Sequence, residues 1–74
     1  MIEEITEIAE VASGYVGHSI VSDLEGIYYF LDQIAAENFK ADIEAFEFFD
    51  EADILSRAVN GCVPVTIRLR QHSE

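Results

Sequence analysis

The acidic side chains between residues 41 and 53 are the part of this chain whose residue types could do chemistry. The run ADIEAFEFFDEAD holds six carboxylates and no base. Paired carboxylates can act as general acid and base, and clustered carboxylates can bind calcium. However, the chain has no EF-hand loop pattern, no nucleophile motif and no phosphate-binding glycine loop. The sequence therefore predicts a non-enzymatic protein that needs no cofactor.

The two histidines and the single cysteine do not form a metal-binding pattern either. His18, Cys62 and His72 show none of the short spacings that place ligands around zinc. One cysteine cannot form an internal disulfide, and we expect it to be a small, partly apolar residue of a protein in a reducing compartment. We predict no metal site.

The net charge of the chain restricts the classes of molecule that it could bind. Fifteen acidic and four basic residues give a net charge of −11 over 74 residues. Such a surface repels phosphate, which argues against direct binding to nucleic acid or to an anionic membrane. The acids then serve either solubility or a positively charged partner, such as a nucleic-acid-binding protein. The N-terminus is acidic and no apolar run reaches about 18 residues, so we expect a cytoplasmic protein.

The first elements that position these side chains are a helix and a possible strand. Residues 2–12 carry isoleucines at helical spacing, which predicts an amphipathic helix that Gly14 stops. Residues 14–21 are β-branched and aromatic with two glycines, which is typical of a short strand or a structured turn.

Two further helical segments are predicted in the middle of the chain. Residues 22–39 predict the clearest helix, with Ser22 as its N-cap and Glu25 completing a capping box. Residues 41–60 predict two short helices or one bent helix, with Asp50 capping the second piece and Gly61 ending it. The apolar stripes of these helices are Leu24, Ile27, Tyr28, Leu31, Ile34 and Ala35, then Ile43, Phe46 and Phe49, and last Ile54, Leu55, Ala58 and Val59.

The pattern of the C-terminal segment predicts a strand. Residues 62–70 alternate between apolar and polar side chains, and Pro64 requires a sheet edge or a strand start. Its partner is either the 14–21 strand or the same strand of a second subunit. The expected fold class is α+β, with three to four short helices packed with a small antiparallel sheet that includes the C-terminal strand. Residues 1–74 form one domain, with a frayed tail at residues 71–74.

The acids are concentrated in the first 53 residues, which hold 14 acids and one base. Helical acids three or four residues apart recur about once per 5.4 Å turn, and duplex DNA presents one charge about every 1.7 Å. Two or three such helices on one surface would approach the charge density of DNA. The candidate partner-binding residues are the carboxylates of the predicted second and third helices: Asp23, Glu25, Asp32, Glu37, Asp42, Glu44, Glu47, Asp50, Glu51 and Asp53.

Short motifs between residues 14 and 61 occur in a similar order in a known family. They are Gly14-Tyr15-Val16-Gly17, Asp23-Leu24-Glu25, Phe48-Phe49-Asp50-Glu51-Ala52, Ile54-Leu55 and Asn60-Gly61. Through them the chain resembles the C-terminal part of Ard-type antirestriction proteins, which are DNA mimics borne by plasmids and transposons. The resemblance implies a small inhibitor that occupies the DNA channel of a bacterial restriction or related defence nuclease. Small acidic anti-CRISPR proteins of phages are a neighbouring possibility.

Two other interpretations stay open. The chain could be a structural or adaptor subunit that forms a homodimer through its C-terminal strand or its spare aromatic residues, with the acids keeping it soluble. It could also be an acyl carrier domain, since Ser22-Asp23-Leu24 superficially resembles the Asp-Ser-Leu attachment site. The order of those residues is wrong, and a terminal strand does not belong to that all-helical family.

Overall fold

A computed structural model describes residues 2–46, 49–55 and 60–70 of the chain. These residues form two helices and four strands: α1 (Ile2–Glu10), β1 (Tyr15–Ser22), β2 (Glu25–Phe30), α2 (Gln33–Glu44), β3 (Phe49–Ile54) and β4 (Val63–Leu69). The strands form one antiparallel sheet in the order β1-β2-β4-β3. The fold is therefore α+β, but the predicted three to four helices are wrong, since the described residues form two.

Both helices pack on one face of the sheet and bury the core there. Tyr28 and Phe30 of β2 point to the helices and are fully buried, and their rings lie 5.4 and 4.9 Å from the ring of Phe39 on α2. Val65 of β4 is the register partner of Tyr28 and is buried beside it. The buried apolar core comprises Ile2, Ile5, Ala9, Tyr28, Phe30, Ala36, Phe39, Ile43, Val65, Ile67 and Leu69.

The first predicted helix is confirmed as α1, although it ends at Glu10. Its isoleucine spacing works as expected, because Ile2 and Ile5 are buried in the core. Gly14 lies beyond the helix end with a φ of 85°, and its carbonyl accepts a hydrogen bond from the backbone of Leu31 at 2.9 Å. This left-handed turn leads the chain into β1, so residues 15–22 are a strand.

The stretch 22–39, predicted as one helix, contains a turn, a strand and the start of α2. The Oγ atom of Ser22 accepts a hydrogen bond from the backbone of Leu24 at 3.2 Å, so this side chain closes the β1–β2 turn and does not cap a helix. Residues 27–30 are β-branched or aromatic, which favours a strand. Pairing with β1 and β4 and the burial of every second side chain decide the conformation.

The second helix begins at Gln33, eleven residues after the predicted start at residue 22. Its N-cap is Asp32, whose Oδ1 atom accepts a hydrogen bond from the backbone of Ala35 at 2.9 Å. Leu31 and Ile34, which the helical stripe placed in the core, are 66% and 72% exposed. The buried face of α2 is formed by Ala36, Phe39 and Ile43.

The prediction of helical pieces across residues 41–60 is also wrong for the described residues beyond Glu44, where α2 ends and β3 follows. Asp50 lies in β3, next to a register irregularity, and caps no helix. Asn60 and Gly61 do have positive φ angles of 53° and 80°, which turn the chain into β4. Ala58 and Val59, assigned to the last helical piece, lie outside the described residues.

The predicted C-terminal strand is confirmed as β4, but it lies in the middle of the sheet. Its partners are β2 and β3, so the expectation that it pairs with the 14–21 strand or with a second subunit is wrong. Pro64 is compatible with this central position because it is the second residue of β4, where its carbonyl accepts from the backbone of Leu55 at 3.0 Å. The tail at residues 71–74 lies outside the described residues.

Candidate protein-binding surface

The carboxylates of β3 point away from the helices. Phe49, Ala52 and Ile54 pack against the core. Glu51 and Asp53 alternate with them along the strand, so they lie on the other side of the sheet, which we call the open face. Glu51 and Asp53 are both exposed.

Arg68 on β4 lies between acids from both neighbouring strands. Its register partners are Glu51 on β3 and Glu25 on β2. Its Nε atom donates a hydrogen bond to Oδ2 of Asp50 at 3.0 Å, and its Nη2 atom donates to Oε1 of Glu51. We call Glu25, Asp50, Glu51 and Asp53, together with Arg68 at their centre, the acidic patch.

The electrostatics of the acidic patch are dominated by its carboxylates. The hydrogen bond to Asp50 and the negative charges of Glu51, Asp50 and Glu25 raise the pKa of Arg68 above its usual value. Four carboxylates against one guanidinium leave the patch with a formal charge of −3. Among the described residues, no three His, Cys, Asp or Glu side chains are placed to hold a metal ion. The arrangement is therefore suited to attracting an extended positive surface.

The predicted binding residues of α2 lie on the opposite side of the sheet, and most have a local structural role. Asp32 caps the helix, and Glu37 accepts a hydrogen bond from Nε2 of Gln33 at 3.0 Å. Glu44 lies 3.7 Å from Nζ of Lys40, one turn earlier. Asp42 is exposed near the end of the helix. These four carboxylates are therefore not part of the acidic patch, although α2 packs against β3.

Two predicted residues remain, Asp23 and Glu47. Asp23 is in the β1–β2 turn, where its carbonyl accepts a hydrogen bond from the backbone of Ile2 at 3.0 Å. Glu47 lies outside the described residues. The ten predicted carboxylates therefore do not form a single helical surface. The structure brings Glu25, Asp50, Glu51 and Asp53 together, and it does so on strands.

A groove between α1 and β1 is the feature that sequence reasoning missed. It has a volume of about 360 Å³ and is lined by Ile2, Glu3, Thr6, Glu7, His18, Ile20 and Asp23. We call it the α1–β1 groove. Its lining combines isoleucines with carboxylates and contains no described Lys or Arg. The signal in the sequence is the absence of any charged residue from 11 to 22, which is unusual in so acidic a chain.

Hydrogen bonds order the side chains at the base of this groove. Thr6 Oγ1 and the hydroxyl of Tyr28 are 2.8 Å apart. Burial raises the pKa of Tyr28, and the hydrogen bond with Thr6 opposes this effect. His18 Nδ1 lies 2.5 Å from the hydroxyl of Tyr15, which orients the imidazole on the surface of β1.

Comparisons with protein families, characterised proteins and solved structures gave no match to this chain. Its function is therefore argued from the surfaces described above. No described helix is long and apolar enough to cross a membrane.

The position of β4 bears on the adaptor interpretation. A strand with hydrogen-bonded neighbours on both sides has no free backbone edge, and β4 lies between β2 and β3. Its apolar residues are also unavailable, since Val65, Ile67 and Leu69 are buried under the helices. Edge-to-edge pairing of β4 with a second copy is therefore not available in this sheet.

Proposed function

We propose that this protein is a non-enzymatic inhibitor whose carboxylates mimic the negative charge of DNA and block the nucleic-acid-binding site of a bacterial defence complex. The target is a restriction nuclease or a CRISPR effector in the host cytoplasm. The observation that carries the proposal is the acidic patch, in which carboxylates from two strands project from the open face of the sheet. The net charge of −11 adds long-range attraction to a basic cleft.

The spacing of the strand carboxylates supports a comparison with DNA. Alternate residues of a strand, such as Glu51 and Asp53, are about 6.6 Å apart along the strand. Each DNA strand carries one phosphate about every 3.4 Å of helix axis. A single row of strand carboxylates thus supplies about half the linear charge density of one DNA strand. Glu25 on β2 adds a further negative charge on the other side of Arg68 from Glu51.

The acidic patch is held on a rigid support. Its carboxylates arise from β2 and β3, which are both hydrogen-bonded to β4, and Arg68 joins Asp50 and Glu51 through Nε and Nη2 of its guanidinium. A rigid charged surface loses little conformational entropy when it enters a cleft, because its backbone is already ordered. This property distinguishes the patch from a flexible acidic tail, which would bind basic proteins with less geometric selectivity.

The direct test is to immobilise the protein and retrieve its partner from a bacterial lysate, eluting with a salt gradient. We expect a nucleic-acid-binding nuclease or guide-RNA complex to elute as salt rises from about 50 to 500 mM, because the Debye length is about 10 Å at 0.1 M. Duplex DNA should compete with the protein for the purified target. A partner that DNA does not displace, or whose affinity is indifferent to salt, would contradict charge mimicry.

A matched pair of variants separates the acidic patch from the total charge. Asp53→Lys and Glu10→Lys change the net charge by the same amount, but Asp53 is in the patch and Glu10 is exposed on α1. We expect Asp53→Lys to weaken target binding by about tenfold and Glu10→Lys to have little effect, since contacts within a desolvated interface exceed screened long-range ones. Equal losses would indicate that only the overall charge matters.

A further inference from the structure

The outer edge of β1 is better suited to pairing with another strand than the outer edge of β3. Both strands lie at the ends of the sheet. The β3 edge carries the carboxylates Asp50, Glu51 and Asp53, and charged side chains on an edge strand discourage pairing with another strand. In contrast, no residue from 11 to 22 is charged, and no other described strand pairs with the outer side of β1.

The middle of β1 has the regular geometry that strand addition requires. Its pairing with β2 is irregular near Val16 and near Val21, but residues 17–20 pair one to one with β2. Exposed apolar side chains lie in this regular segment and on either side of it: Val16, Ile20 and Val21 are 47%, 47% and 58% exposed. An incoming strand would therefore gain backbone hydrogen bonds and bury apolar surface together.

The α1–β1 groove defines which side chains such a strand would carry. In an added strand, every second side chain points to the helix side of the sheet, where this groove lies. Ile20, which is 47% exposed, offers apolar surface there, and the carboxylates of Glu7 and Asp23 offer negative charge. A lysine or arginine side chain matches this combination, because its aliphatic stem packs on apolar surface while its cationic end pairs with carboxylates.

We propose that β1 and the α1–β1 groove bind an extended, basic segment of a partner protein, which adds to the sheet as a fifth strand. A second copy of the chain does not fit this site, since each copy carries a charge of −11 and would bring its own groove carboxylates to the interface. The inference does not depend on the proposed function, because the acidic patch lies on the open face and at the β3 side of the sheet.

A peptide titration of the isotope-labelled protein tests this proposal. The probe is an eight-residue peptide of alternating lysine and valine, added at low salt. Two control peptides separate the contribution of backbone hydrogen bonds from that of charge. The first is N-methylated at every residue, which preserves the charge but removes the backbone donors. The second carries glutamate in place of lysine, which reverses the charge. We expect amide resonances of residues 16–22 to shift with the probe, and neither control to bind.

Two variants on α1 locate the charge contribution. Glu7 lines the α1–β1 groove, whereas Glu10 is exposed on the same helix outside it. We expect Glu7→Lys to weaken binding of the probe about fivefold and Glu10→Lys to weaken it less than twofold, in line with the strength of exposed charge pairs. Circular dichroism spectra of both variants should match that of the parent protein, because both positions are exposed.

Several outcomes would overturn the proposal. One is binding of the N-methylated peptide as tightly as the probe, which would indicate charge attraction without strand addition. Others are resonance shifts confined to β3, equal losses for Glu7→Lys and Glu10→Lys, and no binding at millimolar peptide. Each of these results leaves the test of the acidic patch unaffected, because that test uses Asp53→Lys and a different ligand.

Discussion

The guanidinium of Arg68 donates a hydrogen bond from Nε to Oδ2 of Asp50 at 3.0 Å, across the β3–β4 pair. This contact places the one basic side chain of the acidic patch beside the register irregularity of β3. Arg68 therefore has two opposing effects. It reduces the negative charge that a basic target would meet, and it relieves repulsion among the carboxylates that surround it.

Replacing Arg68 with glutamine should separate these two effects. The affinity for the basic target should rise, because the patch gains one negative charge. The melting temperature should fall at low salt and recover in part as salt screens the carboxylates. Arg70→Gln is the matched control, since Arg70 lies outside the patch and donates to the carbonyl of Phe49. Equal affinity changes in both variants would mean that Arg68 does not set the local charge.

Tyr28 should make the protein sensitive to alkaline pH. Burial raises its pKa above the usual value of about 10. Above pH 10 the phenol ionises in the unfolded chain but stays protonated in the folded one, so the unfolded state binds fewer protons and stability falls as pH rises. Below pH 10 this contribution is fully present.

Urea denaturation between pH 8 and about 11 measures this dependence. Tyr28→Phe should flatten the decline above pH 10, although it loses the hydrogen bond to Thr6 at every pH. Tyr29→Phe is the control, since Tyr29 alternates with Tyr28 and lies on the open face. The interpretation would be wrong if Tyr28→Phe retained the full alkaline loss.

The assignment of the helix N-cap can be tested with two alanine substitutions. Asp32→Ala should lower the free energy of unfolding by about 1 kcal/mol, because it removes the oxygen that accepts from the backbone of Ala35. Ser22→Ala should cost less, about 0.5 kcal/mol, since Ser22 only closes an exposed turn. Chemical denaturation of both variants gives the comparison. A larger loss for Ser22→Ala would contradict the helix boundary.

The sequence placed the first helix and the last strand correctly because their periods are unambiguous. The isoleucines of α1 recur at helical spacing, and β4 alternates over seven residues. Between these two elements lies a run of consecutive apolar residues that includes Ile27 and Tyr28. Such a run fits the apolar stripe of a helix and also a buried strand, so its periodicity does not distinguish the two. Pairing of Tyr28 with Val65, a residue far along the chain, decides for the strand. No local pattern contains that information.

The candidate site was predictable in composition but not in arrangement. Glu51 and Asp53 were identified from their charge, yet strand alternation and not helical spacing puts them on one face. The central place of Arg68 among acids depends on the register between β3 and β4, which the sequence does not specify. The α1–β1 groove depends on how α1 packs beside the edge strand β1, which no local sequence pattern specifies.

Ile67 distinguishes a monomer core from a dimer interface. Dimerisation through β4 would predict that Ile67→Lys yields a folded monomer. The side chain is 1% exposed within the single chain, so we expect this variant to unfold instead, since Ile67→Ala alone should cost about 2–5 kcal/mol. Thr66→Lys, one residue earlier on the open face, should stay folded. Circular dichroism measures whether each variant is folded, and sedimentation measures its oligomeric state. A folded Ile67→Lys monomer would show that β4 is not part of the core.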